Sequence, residues 1–507
     1  MSLATIRSRA LLGVDAIEVT VETHLSNGMP GFAIVGLPET AVKESKERVR
    51  SAIINAGLDF PTRRITVNLA PADLPKAGGR YDLAIALSIL AASGQIDKGA
   101  LENTEILGEL ALDGGIRQVQ GAVPAILGAR QQNHKIILPA ANADELALVA
   151  YAQGYCVGSL LELVNHLANK TDLTSCKDLP RRQAPVGDPL QGFTEVRGQA
   201  LAKRAVQIAA AGGHNLLMIG PPGSGKTLLA NILIGLLPSM NEAEALEVAT
   251  VKSAAKLQLN SSNWQQRPIR APHHSASSVA LVGGGNRASP GEISLAHRGV
   301  LFLDELTEFK PGVLDALREP LESGEITISR ANYRVKFPAN FQLLAAMNPC
   351  PCGYASDPRH ECRCTADRIA RYLGKLSGPL LDRLDLIIEV PSLSQAELLQ
   401  HRNEATDWEE IRNKIAQCRD LQAQRNGKLN SELQVGELDQ YCPLGAPLRN
   451  SLAAIMDKLA MSARATHRVI KMSRTIADFE GSTNIREQDL MEAISYRRCQ
   501  FIESVIR

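Results

Sequence analysis

Leu216-Leu217-Met218-Ile219-Gly220-Pro221-Pro222-Gly223-Ser224-Gly225-Lys226-Thr227, continued by an apolar run from Leu228 to Leu237, is the stretch on which the fold turns. Consecutive apolar residues before the loop read as a buried strand, and the run after it reads as a helix. Between them lies G-x-x-x-x-G-K-[ST], in the strand–loop–helix context that the motif requires. Glycines let backbone N–H groups curl around phosphate oxygens. The N-terminus of the following helix adds positive potential. Lys226 is expected to reach the β- and γ-phosphates and Thr227 to ligate Mg²⁺. The implied ligands are ATP and Mg²⁺, with Gly220, Pro221, Pro222, Gly223, Ser224, Gly225, Lys226 and Thr227 around the phosphates.

Further along, Gly299-Val300-Leu301-Phe302-Leu303-Asp304-Glu305 reads as an apolar strand that delivers two acids at its end. Asp304 fits the second Mg²⁺ anchor of such a loop. Glu305 fits the base that polarises an attacking water. Residues 341–347 form another apolar strand, which ends in Asn348. A polar residue there can orient the water near the γ-phosphate; a plain strand-end Asn is the alternative. Leu380-Leu381-Asp382-Arg383-Leu384-Asp385 follows, and later Ser462-Ala463-Arg464 opens a helix.

This order resembles the AAA+ sequence of sensor 1, arginine finger and sensor 2. The resemblance implies that Arg383 acts in trans on a neighbour's ATP, where a guanidinium stabilises charge on the transferring phosphoryl group. It also implies that Arg464 touches the γ-phosphate from a lid, and that the active form is a ring. Arg270-Ala271-Pro272-His273-His274-Ser275, Leu281-Val282-Gly283-Gly284-Gly285, Pro290-Gly291-Glu292-Ile293-Ser294-Leu295-Ala296-His297 and Asn348-Pro349-Cys350-Pro351-Cys352-Gly353 resemble the magnesium-chelatase branch, and more closely its bacterial YifB/ComM-like members. That resemblance covers the whole chain. It implies a hexameric DNA helicase that promotes branch migration during natural transformation, with recombination proteins as further partners.

Residues 325–337 read as a β-hairpin, with alternating apolar and polar positions and Ala331-Asn332 at the turn. Helicases of this superclass project a hairpin there into the ring pore. Arg330, Arg334 and Lys336 lie near its tip. Cations in a pore track phosphates, of single-stranded or branched DNA, without reading sequence; ordinary solvated charges are the alternative. The Gly-rich insert 270–287 is a candidate second pore loop, and His273 and His274 are left open between packing and metal binding.

The fold expected is α/β: a P-loop AAA+ core with a C-terminal helical lid, preceded by a Lon-protease-like (ribosomal S5 domain 2-type) α/β domain. The boundaries read as 1–168 for the first domain, 169–190 for a polar linker, 191–391 for the core and 392–507 for the lid. Strands are read at 16–23, 64–69, 105–112 and 135–139, with helices at 39–56 and 81–93. Helices are also read at 395–403, 408–425, 447–461, 463–479 and 486–498. Within 66–140, Leu74-Pro75-Lys76-Ala77-Gly78-Gly79, Leu107-Gly108-Glu109-Leu110 and Ile136-Ile137-Leu138-Pro139 carry the Lon resemblance. Lon proteases pair a Ser nucleophile with a Lys base. Arg80 and Val123 stand at those positions here, so protease activity is not expected.

Cys350-x-Cys352 and Cys362-x-Cys364 can build a tetrahedral zinc site; reduced thiols or a redox switch are the alternatives. The net charge of +1 gives no global field for nucleic acid, so a polyanion site must be local. Nine cysteines, no export signal and no bilayer-spanning run point to the cytoplasm and to no membrane partner. Two other functions compete with a DNA motor. A chelatase-type motor shares the motifs, but the dedicated chelatase ATPase subunit lacks such a first domain. A protein-remodelling ATPase usually presents an aromatic residue in the pore, and Tyr333 is the nearby candidate.

Overall fold

The computed structural model describes residues 2–175, 198–259, 263–285, 288–329, 334–357, 359–393, 407–459 and 461–497. The expected helix at 395–403 lies wholly outside the described residues, as do Arg330, the Ala331-Asn332 turn and Tyr333.

The N-terminal part is built on a mixed eight-stranded sheet. Its order is Thr174–Ser175, Gly154–Val157, Lys135–Pro139, Thr104–Ile106, Ser2–Leu12, Asp15–Ser26, Arg64–Ala70 and Gly31–Val35. Asp15–Ser26 alternates, and Val19, Val21, Thr23 and Leu25 all face inward. They meet a helix, Asp82–Ser93, in which every residue from Asp82 to Ala92 is buried.

Ser2–Leu12, which pairs antiparallel with Asp15–Ser26, is a strand that the sequence reading missed. Its charged residues hide the alternation, yet Arg9 is buried because Glu105 neutralises it, with Arg9 Nη2 2.7 Å from Glu105 Oε1. Two expected elements are divided. The 39–56 helix is broken into Thr40–Lys43 and Ser45–Asn55, and the 105–112 strand into Thr104–Ile106 and Glu109–Leu110. Thr174–Ser175 adds an edge strand inside the stretch read as linker.

The second sheet is wholly parallel, in the order Ile269–Arg270, Val300–Leu303, Gln342–Met347, Leu216–Ile219 and Leu386–Glu389. Its inner strands are buried on both faces, hence the unbroken apolar runs. The period of two divides them cleanly. Leu216, Met218, Phe302, Leu344 and Ile388 face a core shared with helices Ala200–Gly212 and Lys226–Leu236. Leu217, Ile219, Leu301, Leu343 and Ile387 face the opposite core, which also takes Ile326, Val335 and Phe337 of the hairpin.

The C-terminal helices Trp408–Asn426, Ala446–Leu459, Ala463–Phe479 and Glu487–Ser495 close over the first of these cores. Asp407 caps the first of them by accepting from Glu409 N and Glu410 N, and Gly427, with φ +73°, ends it. No helix among the described residues is long and apolar enough to cross a membrane.

The N-terminal part docks on the parallel-sheet part. Helix Ala122–Gln131 shares a core with Leu246 and Ala249 of helix Glu242–Ala254. At the same seam Ser253 Oγ donates to Glu145 Oε1 at 2.9 Å. The Ser2–Leu12/Asp15–Ser26 hairpin turns at Gly13, which has φ +66° and abuts Val335 of the second hairpin so closely that a Cβ there would collide with Val335 Cγ1. Gly13→Ala is therefore expected to lower stability by about 1–3 kcal/mol, through both a left-handed backbone and overpacking. A fall in the urea midpoint checks this, and an unchanged midpoint would contradict the close approach.

Candidate nucleotide-phosphate site

Three adjacent parallel strands bring the candidate residues to one edge of the sheet. Ile219 lies beside Met347, and Leu303 beside Ala345. The chain leaving Ile219 enters the loop, the chain leaving Met347 gives Asn348, and the chain leaving Leu303 gives Asp304 and Glu305. The loop must turn sharply against Val390, because a Cβ at Gly220 would overlap the Val390 carbonyl oxygen. It ends at Gly225, whose φ of +88° starts helix Lys226–Leu236.

Lys226 is the centre of the arrangement. Its Nζ donates to Gly220 O and Pro221 O, each at 2.8 Å, and to Asn348 Oδ1 at 3.3 Å. Burial holds its pKa below the usual lysine range, opposed by the negative charge of Asp304. Thr227 Oγ1 donates to Asp304 Oδ2 at 3.2 Å, and Asp304 Oδ1 accepts from Glu305 N at 2.9 Å. Among the described residues, the buried Ser224 hydroxyl has no hydrogen-bond partner.

This donor set fits a nucleoside triphosphate and a hard divalent cation. Among the described residues, the ammonium faces oxygens and no carboxylate is in contact with it. The loop offers a spare hydroxyl, and Thr227 and Asp304 present oxygens to one spot, as Mg²⁺ requires.

Glu305 adopts φ +51°, a left-handed conformation unusual for a side chain of this size. Its carboxylate oxygen Oε2 lies 3.0 Å from His274 Nδ1. His274 lies against His273, with centroids 4.0 Å apart and the rings tilted by 35°, and meets Phe309 edge-on. The pair left open between packing and metal binding thus supplies one partner of the acid on the neighbouring strand.

The two arginines lie elsewhere. Arg383 is buried: its Nε donates to Arg318 O at 2.9 Å, its Nη1 to Pro379 O at 2.7 Å, and its Nη2 pairs with Glu322 Oε1 at 2.7 Å. The Arg464 guanidinium reaches the same Glu322 oxygen at 2.9 Å. Glu322 carried no signal in its own stretch of sequence, and His274 was singled out without a partner, because each acts through a contact made only in the fold.

The four clustered cysteines converge. Sγ–Sγ distances are 3.3 Å for Cys350–Cys352, 3.7 Å for Cys350–Cys362 and 3.6 Å for Cys352–Cys362, and Cys364 lies in the same group. Four sulfurs about 2.3 Å from a tetrahedral zinc would stand roughly 3.8 Å apart. The backbone N–H of Tyr354 draws the Cys352 thiol down to about 6, while burial pushes the Cys350 thiol up. A Cβ at Gly353 would stand 2.6 Å from Pro222 Cδ, so the cysteine loop rests on the phosphate loop. A second group, Glu18, Glu105 and His134, also converges, but Arg9 already neutralises Glu105.

His274→Ala is expected to lower the turnover of ATP by on the order of tenfold while leaving nucleotide affinity within a few-fold, since it loosens Glu305 without touching the loop. Steady-state phosphate release beside a nucleotide-binding isotherm checks this; equal turnover would contradict a role for the contact.

Comparison with known proteins places the chain. Three family models match it. They are described as magnesium chelatase, subunit ChlI (residues 192–398), subunit ChlI of Mg-chelatase (21–142), and magnesium chelatase, subunit ChlI C-terminal (405–497). It is 51% identical to the competence protein ComM of Haemophilus influenzae over 98% of both chains. It is 47% identical to YifB of Escherichia coli, over 98% of this chain and 97% of that one. A magnesium-chelatase 38 kDa subunit of Cereibacter sphaeroides is 26% identical over 39% of this chain and 58% of its own. On this footing, the chain belongs to the ComM/YifB family of magnesium-chelatase-related AAA+ ATPases.

Proposed function

We propose that this ATPase assembles into a ring, a hexamer, that couples ATP hydrolysis to translocation on DNA, as a cytoplasmic helicase promoting branch migration during natural transformation and recombination. The observation that carries the reading is the gathering of Lys226, Asn348, Thr227, Asp304 and Glu305 at one sheet edge. The 51% identity to a protein named for competence supports the biological setting.

Lys226 and the Gly220–Thr227 loop bind the phosphates. Thr227 and Asp304 would hold Mg²⁺, which when bound would supply charge neutralisation on the triphosphate. Glu305 accepts the proton of the attacking water, and Asn348 orients that water. Arg383 acts on the neighbouring subunit's ATP, and Arg464 acts from the lid.

DNA is gripped by the hairpin of Glu325–Ser329 and Arg334–Pro338. Val335 and Phe337 are buried, while Arg334 and Lys336 point outward; Lys336 is paired with Glu325 at 2.9 Å. Arg330 is assigned to the same grip. Outward cations on an anchored hairpin suit a backbone of phosphates.

Residues 1–168 form a Lon-like domain without its protease dyad, 169–190 a linker, 191–391 the ATPase core and 392–507 the lid. Support for the missing dyad comes from Arg80, which is buried and hydrogen-bonded to Gln120 O, and from Val123, which lies in an apolar core. Cys350, Cys352, Cys362 and Cys364 hold a structural zinc ion that fixes the segment after Asn348 against Pro222.

Two measurements test this. ATP hydrolysis is expected to rise with single-stranded or four-way-junction DNA, to lose that stimulation as salt increases, and to vanish in Lys226→Ala. Hydrolysis indifferent to every DNA would overturn the DNA reading. Metal analysis of the purified chain is expected to give about one zinc per chain; zinc-free protein with an ordered cysteine loop would overturn the metal assignment.

A further inference from the structure

Arg383 and Arg464, 81 positions apart by their numbers, converge on a single carboxylate oxygen, Glu322 Oε1. The two are held differently. The Arg383 side chain is only 7% exposed, and among the described residues its hydrogen bonds to Arg318 and Pro379 go to main-chain carbonyls, so Glu322 is its counter-charge. Arg464 is 59% exposed and swings from the first turn of helix Ala463–Phe479 to reach the same oxygen. Glu322 therefore holds Arg383 within the sheet part and ties that part to the C-terminal helices through Arg464.

The position of Glu322 adds a third connection. It lies on the short helix Pro320–Ser323, and Gly324, with φ +68°, leads directly into hairpin strand Glu325–Ser329. The returning strand closes on the same glycine, where Ala339 N donates to Gly324 O at 2.7 Å. Any shift of the hairpin at its base is thus passed to the Glu322 helix across one glycine. The ion pair is suited to exchange. The Glu322 side chain is 41% exposed, so water screens the pair. A phosphate oxygen offers each arginine a charge-assisted partner of the same kind.

We propose that Glu322 is a positioning residue that couples the hairpin to both arginines. It holds Arg383 and Arg464 while the hairpin is free. A polyanion on the hairpin displaces helix Pro320–Ser323 and releases the two guanidinium groups to phosphates. This rests on the reading of the chain as a DNA-stimulated ATPase ring. It explains how a contact on the hairpin reaches a nucleotide site to which the hairpin does not belong.

Glu322→Gln keeps the shape and one acceptor oxygen but removes the charge, at an exposed position where packing is little affected. ATP hydrolysis is measured across ATP concentration, with and without single-stranded DNA, for wild type and variant. The variant is expected to raise DNA-free kcat by about two- to tenfold, the scale of a partly screened ion pair, with KM for ATP within twofold and with a smaller stimulation by DNA. An unchanged stimulation ratio, or both rates falling in parallel, would overturn the coupling.

Wild type that no DNA stimulates would overturn the DNA reading instead. The hold on Arg383 is then read by sedimentation velocity across ATP concentration. Assembly of Glu322→Gln at lower ATP than wild type supports the hold, and assembly at the same ATP overturns it.

Discussion

The register of three parallel strands is the constraint on which the site depends. Ile219 is beside Met347 and Leu303 beside Ala345, so the phosphate loop, Asn348 and Asp304 leave the sheet as neighbours. A slip of one residue would turn every side chain to the opposite core and carry Asn348 out of reach of Lys226. The separation of the two cores by alternate residues prevents that slip. Leu344 cannot take the place of Leu343 without moving from the helix-covered face to the hairpin-covered one.

Lys226 then joins packing to chemistry. Burial strips water from its ammonium, and its hydrogen-bond partners among the described residues are the fixed oxygens of Gly220, Pro221 and Asn348. Such a group is positioned before a phosphate arrives, so little reorganisation is left for the moment of reaction. The same economy appears at Glu305, whose left-handed backbone and His274 contact fix its direction. Beside this centre, the exposed Arg464 ties helix Ala463–Phe479 to Glu322, and Gly324 leads from the Glu322 helix into the hairpin.

Much of this was legible in the sequence, for a physical reason. The loop, the acidic pair and Asn348 are each local: a short apolar strand followed at once by the candidate residues. Strand periodicity also gave the hairpin, because Ile326, Ile328, Val335 and Phe337 alternate with polar residues. What could not be read depends on contacts between distant segments. The strand Ser2–Leu12 was hidden by Arg9, whose burial makes sense only with Glu105 beside it. The inward hold on Arg383 follows from Glu322, 61 positions earlier by their numbers, and the anchoring of Glu305 from His274, on a loop read as a candidate pore loop with no link to the acidic pair.

The central claim is that these strand ends form one hydrolytic centre in which binding and chemistry belong to different residues. Glu305→Gln separates them most directly, with nucleotide affinity and single-turnover hydrolysis measured on the same preparation. The account predicts ATP affinity within a few-fold of wild type and hydrolysis slower by at least about 10²-fold. Hydrolysis at the wild-type rate would contradict it, because the base would then have to lie outside this sheet edge.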